Sequence, residues 1–154
     1  MLIRILPPLA LLAVAAPVSA QVMKTNPPAV AKPLGAYSHV AEVPSRARLL
    51  FLAGQVGNRP DGSLPASFED QAVQAFENIR LILADRGARP EHLVKLTIYV
   101  VGKPADWSKV RAKRAEMFAG TEPPPSTLIY VSALSTPEHL IEVDAVALVP
   151  ANAK

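Results

Sequence analysis

Glu142 is the acid best placed for chemistry. It lies in a stretch where Ile141, Val143, Ala145, Ala147 and Val149 alternate to make a wholly apolar face, while Glu142 and Asp144 point the other way. A carboxylate fixed on that face would lie in a partly desolvated site wherever a second subunit covers it. A second signal is cationic. In the helical pattern of residues 106–119, Trp107, Val110, Arg111, Arg114, Met117 and Phe118 fall on one stripe, so two guanidinium groups share an apolar face. Each must either lay its stem along the surface with its charge in water or meet a buried acceptor. Arg111 lies four residues after Trp107, so its stem can pack on the indole. Lys103, Lys109 and Lys113 complete a basic run and read as a solvated face.

Composition removes whole classes of chemistry. The 154 residues include no cysteine, which excludes disulfides, thiolate metal sites and a cysteine nucleophile. There is no glycine-rich phosphate loop, no HExxH helix and no GxSxG elbow. His39, His92 and His139 are too widely spaced to suggest a metal triad and read as surface or loop residues, so no metal is expected. With only one Trp, three Tyr and four Phe, and with little net charge, the basic, aromatic-lined surface that stacks nucleic acid is not expected.

The elements that must position these groups follow from periodicity. Residues 48–56 (RLLFLAGQV) read as a strand, preceded by a weaker one at 37–43 with Pro44-Ser45 as the turn. After the turn-rich stretch 58–63, Ser67 reads as a helix N-cap with Asp70 three residues on, and Gly87 as the stop. Phe68, Ala72, Ala75, Phe76, Ile79, Ile82 and Leu83 form that helix's apolar stripe. Residues 93–101 alternate, with Val94, Leu96, Ile98 and Val100 on one face. The helix of 106–119 follows, stopping at Gly120, then strands at 127–134 and 140–149. The order ββαβαββ predicts an α+β domain with both helices on one face of the sheet. By parity the other face carries Phe51, Tyr99, Val101, Leu128, Tyr130, Val146 and Leu148 among Gln55, Glu142 and Asp144. That is too much exposed apolar surface for a monomer, so a second subunit is expected to cover it and Glu142 to lie in a site shared between subunits.

Residues 1–20 have the form of a secretory leader. Arg4 precedes an apolar run, and Val18-Ser19-Ala20 supplies the small residues of a signal-peptidase site before Gln21. The run is shorter than a membrane span and carries Pro7 and Pro8, so cleavage rather than anchoring is expected, with no stable membrane insertion afterwards. Removing these 20 residues from the 154 leaves 134, and losing Arg4 lowers the net charge from +3 to +2. Export of a chain without cysteine points to a periplasmic or secreted protein. Residues 21–36 are proline-punctuated and read as an extended N-terminal segment, followed by a single domain at 37–150.

Five strings in order resemble one family. Gly35-Ala36-Tyr37-Ser38 is similar to its Gly-Pro-Tyr-Ser, Leu52-Ala53-Gly54-Gln55-Val56 to its Ser-Gly-Gln strand end, and Gln71 to Ile79 to its first helix. The string Val94-Lys95-Leu96-Thr97-Ile98-Tyr99-Val100 resembles its third strand, and Ile141-Glu142-Val143-Asp144-Ala145 its closing Ile-Glu-Ile-Glu-Ala. The family is Rid/YjgF, the reactive intermediate deaminases formerly also called L-PSP endoribonucleases, and the resemblance spans residues 32–149. It implies a chorismate-mutase-like fold, a homotrimer with small-molecule clefts between subunits, and cofactor-free hydrolysis of enamines and imines to a 2-keto acid and ammonia.

The resemblance also implies substrate-binding roles for Tyr37, Gly54, Arg111 and position 126, and a water-positioning role for Glu142. Its carboxylate clamp is an arginine in Pro-Ala-Arg-Ser/Thr, whereas this chain has Pro124-Pro125-Ser126-Thr127. Ala53 replaces the usual serine, and Arg111 stands where the family has a helix asparagine. A serine hydroxyl replaces neither the charge nor the fork of a guanidinium, so activity on ordinary 2-imino acids is expected to be weak. Three readings follow: a divergent imine or enamine deaminase, a non-catalytic periplasmic ligand-binding or regulatory trimer, and, against the charge balance, a ribonuclease. The leader yields the first prediction. Protein recovered from the envelope fraction has the intact mass of a chain starting at Gln21; a mass retaining residues 1–20 in a membrane pellet means anchoring instead.

Overall fold

The computed structural model describes residues 21–150, so the leader expected at residues 1–20 lies outside the described residues. Six strands and two helices follow in order: β1 (Met23–Thr25), β2 (Val40–Glu42), β3 (Arg48–Val56), α1 (Phe68–Asp85), β4 (Leu93–Val101), α2 (Ser108–Met117), β5 (Ser126–Val131) and β6 (Ile141–Val149), with a 3-10 turn at Pro90–His92. The main sheet has the order β3-β6-β4-β5. β6 runs antiparallel to both β3 and β4, while β5 is parallel to β4 because α2 forms the crossover between them. Both helices bury residues in the one core on the same face, as the α+β order predicts.

The centre of that core is the apolar side of β6 against α1. Ile141, Val143 and Ala147 have no exposure, and Ala72, Ala75, Phe76, Ile79 and Leu83 of α1 meet the same cluster with none. The alanines let the helix lie close to the sheet. Ser67 caps α1, its Oγ accepting from the Asp70 N–H at 3.1 Å. Gly87, at φ 65°, ends the helix in the left-handed region. Gln71 is a buried polar residue with full satisfaction: its Nε2 donates to Pro65 O and Glu138 O at 2.9 Å each, and its Oε1 accepts from Leu140 N–H at 2.9 Å. These bonds tie the approaches to α1 and β6 together.

Several boundaries differ from the sequence reading for physical reasons. The strand expected at 37–43 shrinks to β2, which pairs with β1 instead of joining the main sheet. Residues 37–39 are occupied in loop contacts, and Lys24 of β1 donates to the carbonyls of Glu91 and Glu122. α2 is shorter than 106–119, because the Asp106 carboxylate accepts from the Ser108 N–H at 2.8 Å and so caps the helix from outside. β5 stops at Val131 rather than residue 134. A register shift between Leu93 and Lys95 places Leu93 in the core and leaves Val94 half-buried.

The second face of the sheet is largely bare. Phe51 is 79% exposed and Ile129 is 41% exposed there. Leu128 and Tyr130, expected on this face by parity, instead pair in register with the core residues Ile98 and Val100 and so lie on the helix side, because β5 is parallel to β4. Leu148, expected on that open surface, is instead buried, outside the helix-side core. Val22 is buried likewise, and β2 approaches β4, so the chain itself covers this end.

α2 is fastened to α1 by charge as well as packing. Lys113 reaches Glu77 at 3.0 Å and Lys109 reaches Asp70 at 2.7 Å. Arg80, then Lys113, hold the Glu77 carboxyl down from 4.5 to about 2. Its folded value lies below its unfolded one, so its contribution is complete above about pH 4.5 and is lost as pH falls through about 2. Glu77→Gln is therefore expected to lower stability at neutral pH and to flatten the acid limb of a stability-against-pH curve from urea unfolding. Parallel wild-type and variant curves contradict this.

Candidate functional site

A cavity of about 730 Å³ opens between α2, α1, the start of β5 and residues 34–37. Its walls are mainly apolar, including Leu34, Phe76, Ile98, Trp107, Val110 and Leu128. Tyr37, Arg111 and Ser126 line it together, so the structure brings three sequence-selected residues to one cleft. The cleft forms because the crossover drops β5 beside β4 at the sheet edge, leaving α2 and residues 34–37 to roof it.

The polar groups in it are partly committed. Ser126 Oγ donates to Pro124 O at 3.1 Å, so its hydroxyl is turned onto its own loop. The Tyr37 hydroxyl accepts from the Leu34 N–H at 3.3 Å, and its ring meets His39 edge to face at 5.7 Å. Trp107 packs edge to face on Phe68 at 4.9 Å, and Arg111 is exposed. Arg114, one turn on, is the guanidinium drawn into the wall. Its carbon lies 5.4 Å from the Phe76 ring centre and 5.8 Å from that of Phe118, within cation–π range. Its Nη2 donates to Ala36 O at 2.8 Å, and its Nη1 is buried without a partner. Burial alone pushes its pKa down. The apolar stripe singled out Arg114, yet sequence reasoning did not carry it into the site.

Glu142 and Gly54 sit elsewhere in the chain. Ile141 and Val143 point into the helix-side core, so Glu142 between them lies on the bare face. β3 shifts register between Leu52 and Gln55, and there Gly54 passes directly under the carboxylate. A Cβ on residue 54 would stand 1.7 Å from Glu142 Oε1 and 2.5 Å from Cδ. Glycine is therefore required for Glu142 to lie flat on the strand. On the same face the Tyr99 hydroxyl donates to Asp144 at 3.5 Å.

The histidines hold loops. His92 Nδ1 accepts from Arg89 N–H, His39 Nε2 meets Ala31 O, and His139 Nε2 meets Asn58 Oδ1. Burial lowers the His92 pKa. Among the described residues no group of three or more His, Asp or Glu side chains converges to hold a metal.

The fold and this site belong to a known class. Residues 27–149 match the family described as Endoribonuclease L-PSP, and the chain is a member of that family, which is Rid/YjgF. A RutC family protein of Aquifex aeolicus is 41% identical over 69 residues, a match covering 44% of this chain and 53% of that protein. The 2-iminobutanoate/2-iminopropanoate deaminase of Dermatophagoides farinae is 25% identical over 125 residues, covering 79% of this chain and 92% of that protein. Among solved structures, the Yersinia pestis Rid family protein YyfB, of unknown function, superposes with a TM-score of 0.73 at 30% identity, covering 83% of this chain and 98% of that one.

The Gly54–Glu142 contact generates a test. Gly54→Ala is expected to fold, because the Glu142 side chain can swing away, but to shift the carboxylate into another rotamer in a crystal structure. A variant that leaves Glu142 in place contradicts the close approach.

Proposed function

We propose that this chain is an exported, homotrimeric imine or enamine hydrolase whose site forms where the cleft of one subunit meets the Glu142 face of the next. The observation that carries the reading is the division of the site. Tyr37, Arg111 and Ser126 line a cleft on the helix side, while Glu142 and Gly54 lie on the opposite, bare face. Each half is chemically incomplete, and the bare face carries apolar side chains of the kind that subunits bury. A rotation that seats one subunit's face on its neighbour's cleft edge would complete three equal sites.

The chemistry needs only water. Glu142 would hold a water and take its proton as the oxygen bonds to the imine carbon. Glu142 returns that proton to the nitrogen to give the carbinolamine, whose C–N bond breaks as its hydroxyl proton passes to nitrogen, leaving a carbonyl and ammonia. The deaminase name of the Dermatophagoides relative supports this class of substrate. The leader pattern of residues 1–20 supports a periplasmic or secreted location.

Ser126 departs from that chemistry, since its hydroxyl is bonded to Pro124 O and offers no positive charge. This favours a second reading, a trimer that binds a small molecule without turnover. Losing a charged bidentate contact costs about 2 to 5 kcal/mol, so hydrolysis of 2-iminobutanoate is expected to run roughly 30-fold or more below an arginine-bearing relative. Light scattering on a sizing column is expected to give three times the mature mass. Ammonia release from a panel of imines is expected to disappear in Glu142→Gln, while Ser126→Arg raises activity on 2-iminobutanoate. A concentration-independent monomer defeats the shared site. Turnover unaffected by Glu142→Gln defeats the hydrolase, and a ligand bound without turnover supports the second reading.

A further inference from the structure

We infer that Arg114 is the anion anchor of the cleft, and that the cleft takes a carboxylate with an apolar body. This rests on the reading that the cleft binds a small molecule and deepens it by naming the ligand's chemistry.

Among the described residues Arg114 has no counter-ion: no salt bridge includes it and no acidic side chain lines the cavity. A half-buried guanidinium with one nitrogen fully shielded and no anion is costly, because its lost hydration is only partly replaced. Two aromatic faces and one backbone carbonyl replace part of it. Nη1 is left with nothing. The remaining walls are apolar, so the pocket offers a hydrophobic ligand body many contacts and its charge one partner. Arg111, exposed on the same helix, adds positive potential and no competing carboxylate.

Residues 34–37 are the part that can give. Leu34 is 96% exposed, and the segment is fastened by the Arg114–Ala36 bond and the Leu34–Tyr37 bond. A ligand carboxylate would exchange the neutral acceptor Ala36 O for a charged one and would reach Nη1 once the segment shifts. Charge-assisted bonds of this kind are roughly twice as strong as neutral ones, which favours the exchange. The charge missing at position 126 is thereby supplied from α2.

Calorimetry on the mature protein with 3-phenylpropanoate and hexanoate, each against its amide, tests this. Each acid is expected to bind about 30-fold or more tighter than its amide. That ratio is expected to fall toward one in Arg114→Gln and to survive in reduced form in Arg114→Lys. In Arg86→Met, an exposed charge after the end of α1 and outside the cavity lining, it changes by less than about threefold. Arg114→Gln binding acid and amide with the wild-type ratio means that Arg114 is only a fastener for residues 34–37 and overturns the inference. So does wild-type protein that binds neither acid or does not distinguish acid from amide. Should Arg114→Gln fail to fold, a crystal structure of the wild-type protein with 3-phenylpropanoate decides. A carboxylate within hydrogen-bond distance of Arg114 supports the anchor, and one placed elsewhere overturns it. Acid preference through Arg114 without imine turnover would fell the hydrolase reading alone, whereas turnover without acid preference would fell the anchor alone.

Discussion

β6 can bury only one of its faces against the helices, and the rest of the structure depends on that constraint. Its alternation sends Ile141, Val143, Ala145 and Ala147 into the core with α1, and it lies between β3 and β4 in the sheet. Pairing on both edges fixes its register, and a slip by one residue would carry its apolar set to the bare face. Glu142 and Asp144 are therefore committed to the side away from the helices. Glu142 is thus placed by the packing of its neighbours, which is a more rigid support than a loop would supply. Gly54 completes the arrangement by removing the one atom that would lift the carboxylate off the strand.

The helix layer has a different character on its two members. α1 is held by a deep stripe of buried apolar residues. α2 buries Val110 and Met117 within its length and has a weak apolar face, so ion pairs from Lys109 and Lys113 to α1 carry more of its attachment. Such pairs are individually modest where exposed, though Lys113 is well shielded. A helix attached in this way can present basic side chains to a cleft without needing to be apolar there. Arg114 uses that freedom, with Phe76 of α1 forming part of its seat.

The strands β3 and β4 were readable to the residue because each is a nine-residue, mainly apolar run with turn chemistry beside it. The cap of α1 was readable for the same reason: Ser67 and Asp70 act locally. β1 was not, since three residues of Met-Lys-Thr have no period, and their strand exists only because β2 pairs with them across the chain. The bulge at Val94 arises from tertiary register and leaves no mark in the alternation. Of the site, the bare-face position of Glu142 followed from parity alone. The cleft did not, because it needs residues 34–37 folded over α2. Arg114 shows the limit most clearly: periodicity placed it on the apolar stripe together with Arg111, but only the fold separates a guanidinium seated between aromatic rings from one left in solvent.

The two guanidinium positions bear on how a cleft loses one anchor and remains a binding site. Position 126 sits at the start of an edge strand, where its side chain meets the cleft from the sheet side. With serine there, the hydroxyl turns back to Pro124 O and that wall becomes neutral. Arg114 approaches from the helix side, so a carboxylate bound to it would lie in a different orientation from one clamped at position 126. Because an imine carbon is adjacent to the carboxylate in a 2-imino acid, moving the carboxylate moves the reacting carbon relative to any water held by a neighbouring Glu142. A ligand with more atoms between its acid group and its reactive carbon would restore that reach. If Arg114 is the anchor we infer, the relocation that weakens an ordinary 2-imino acid would favour a longer, more apolar acid, and the Leu, Ile, Val and aromatic side chains lining the cavity offer the surface to bind it.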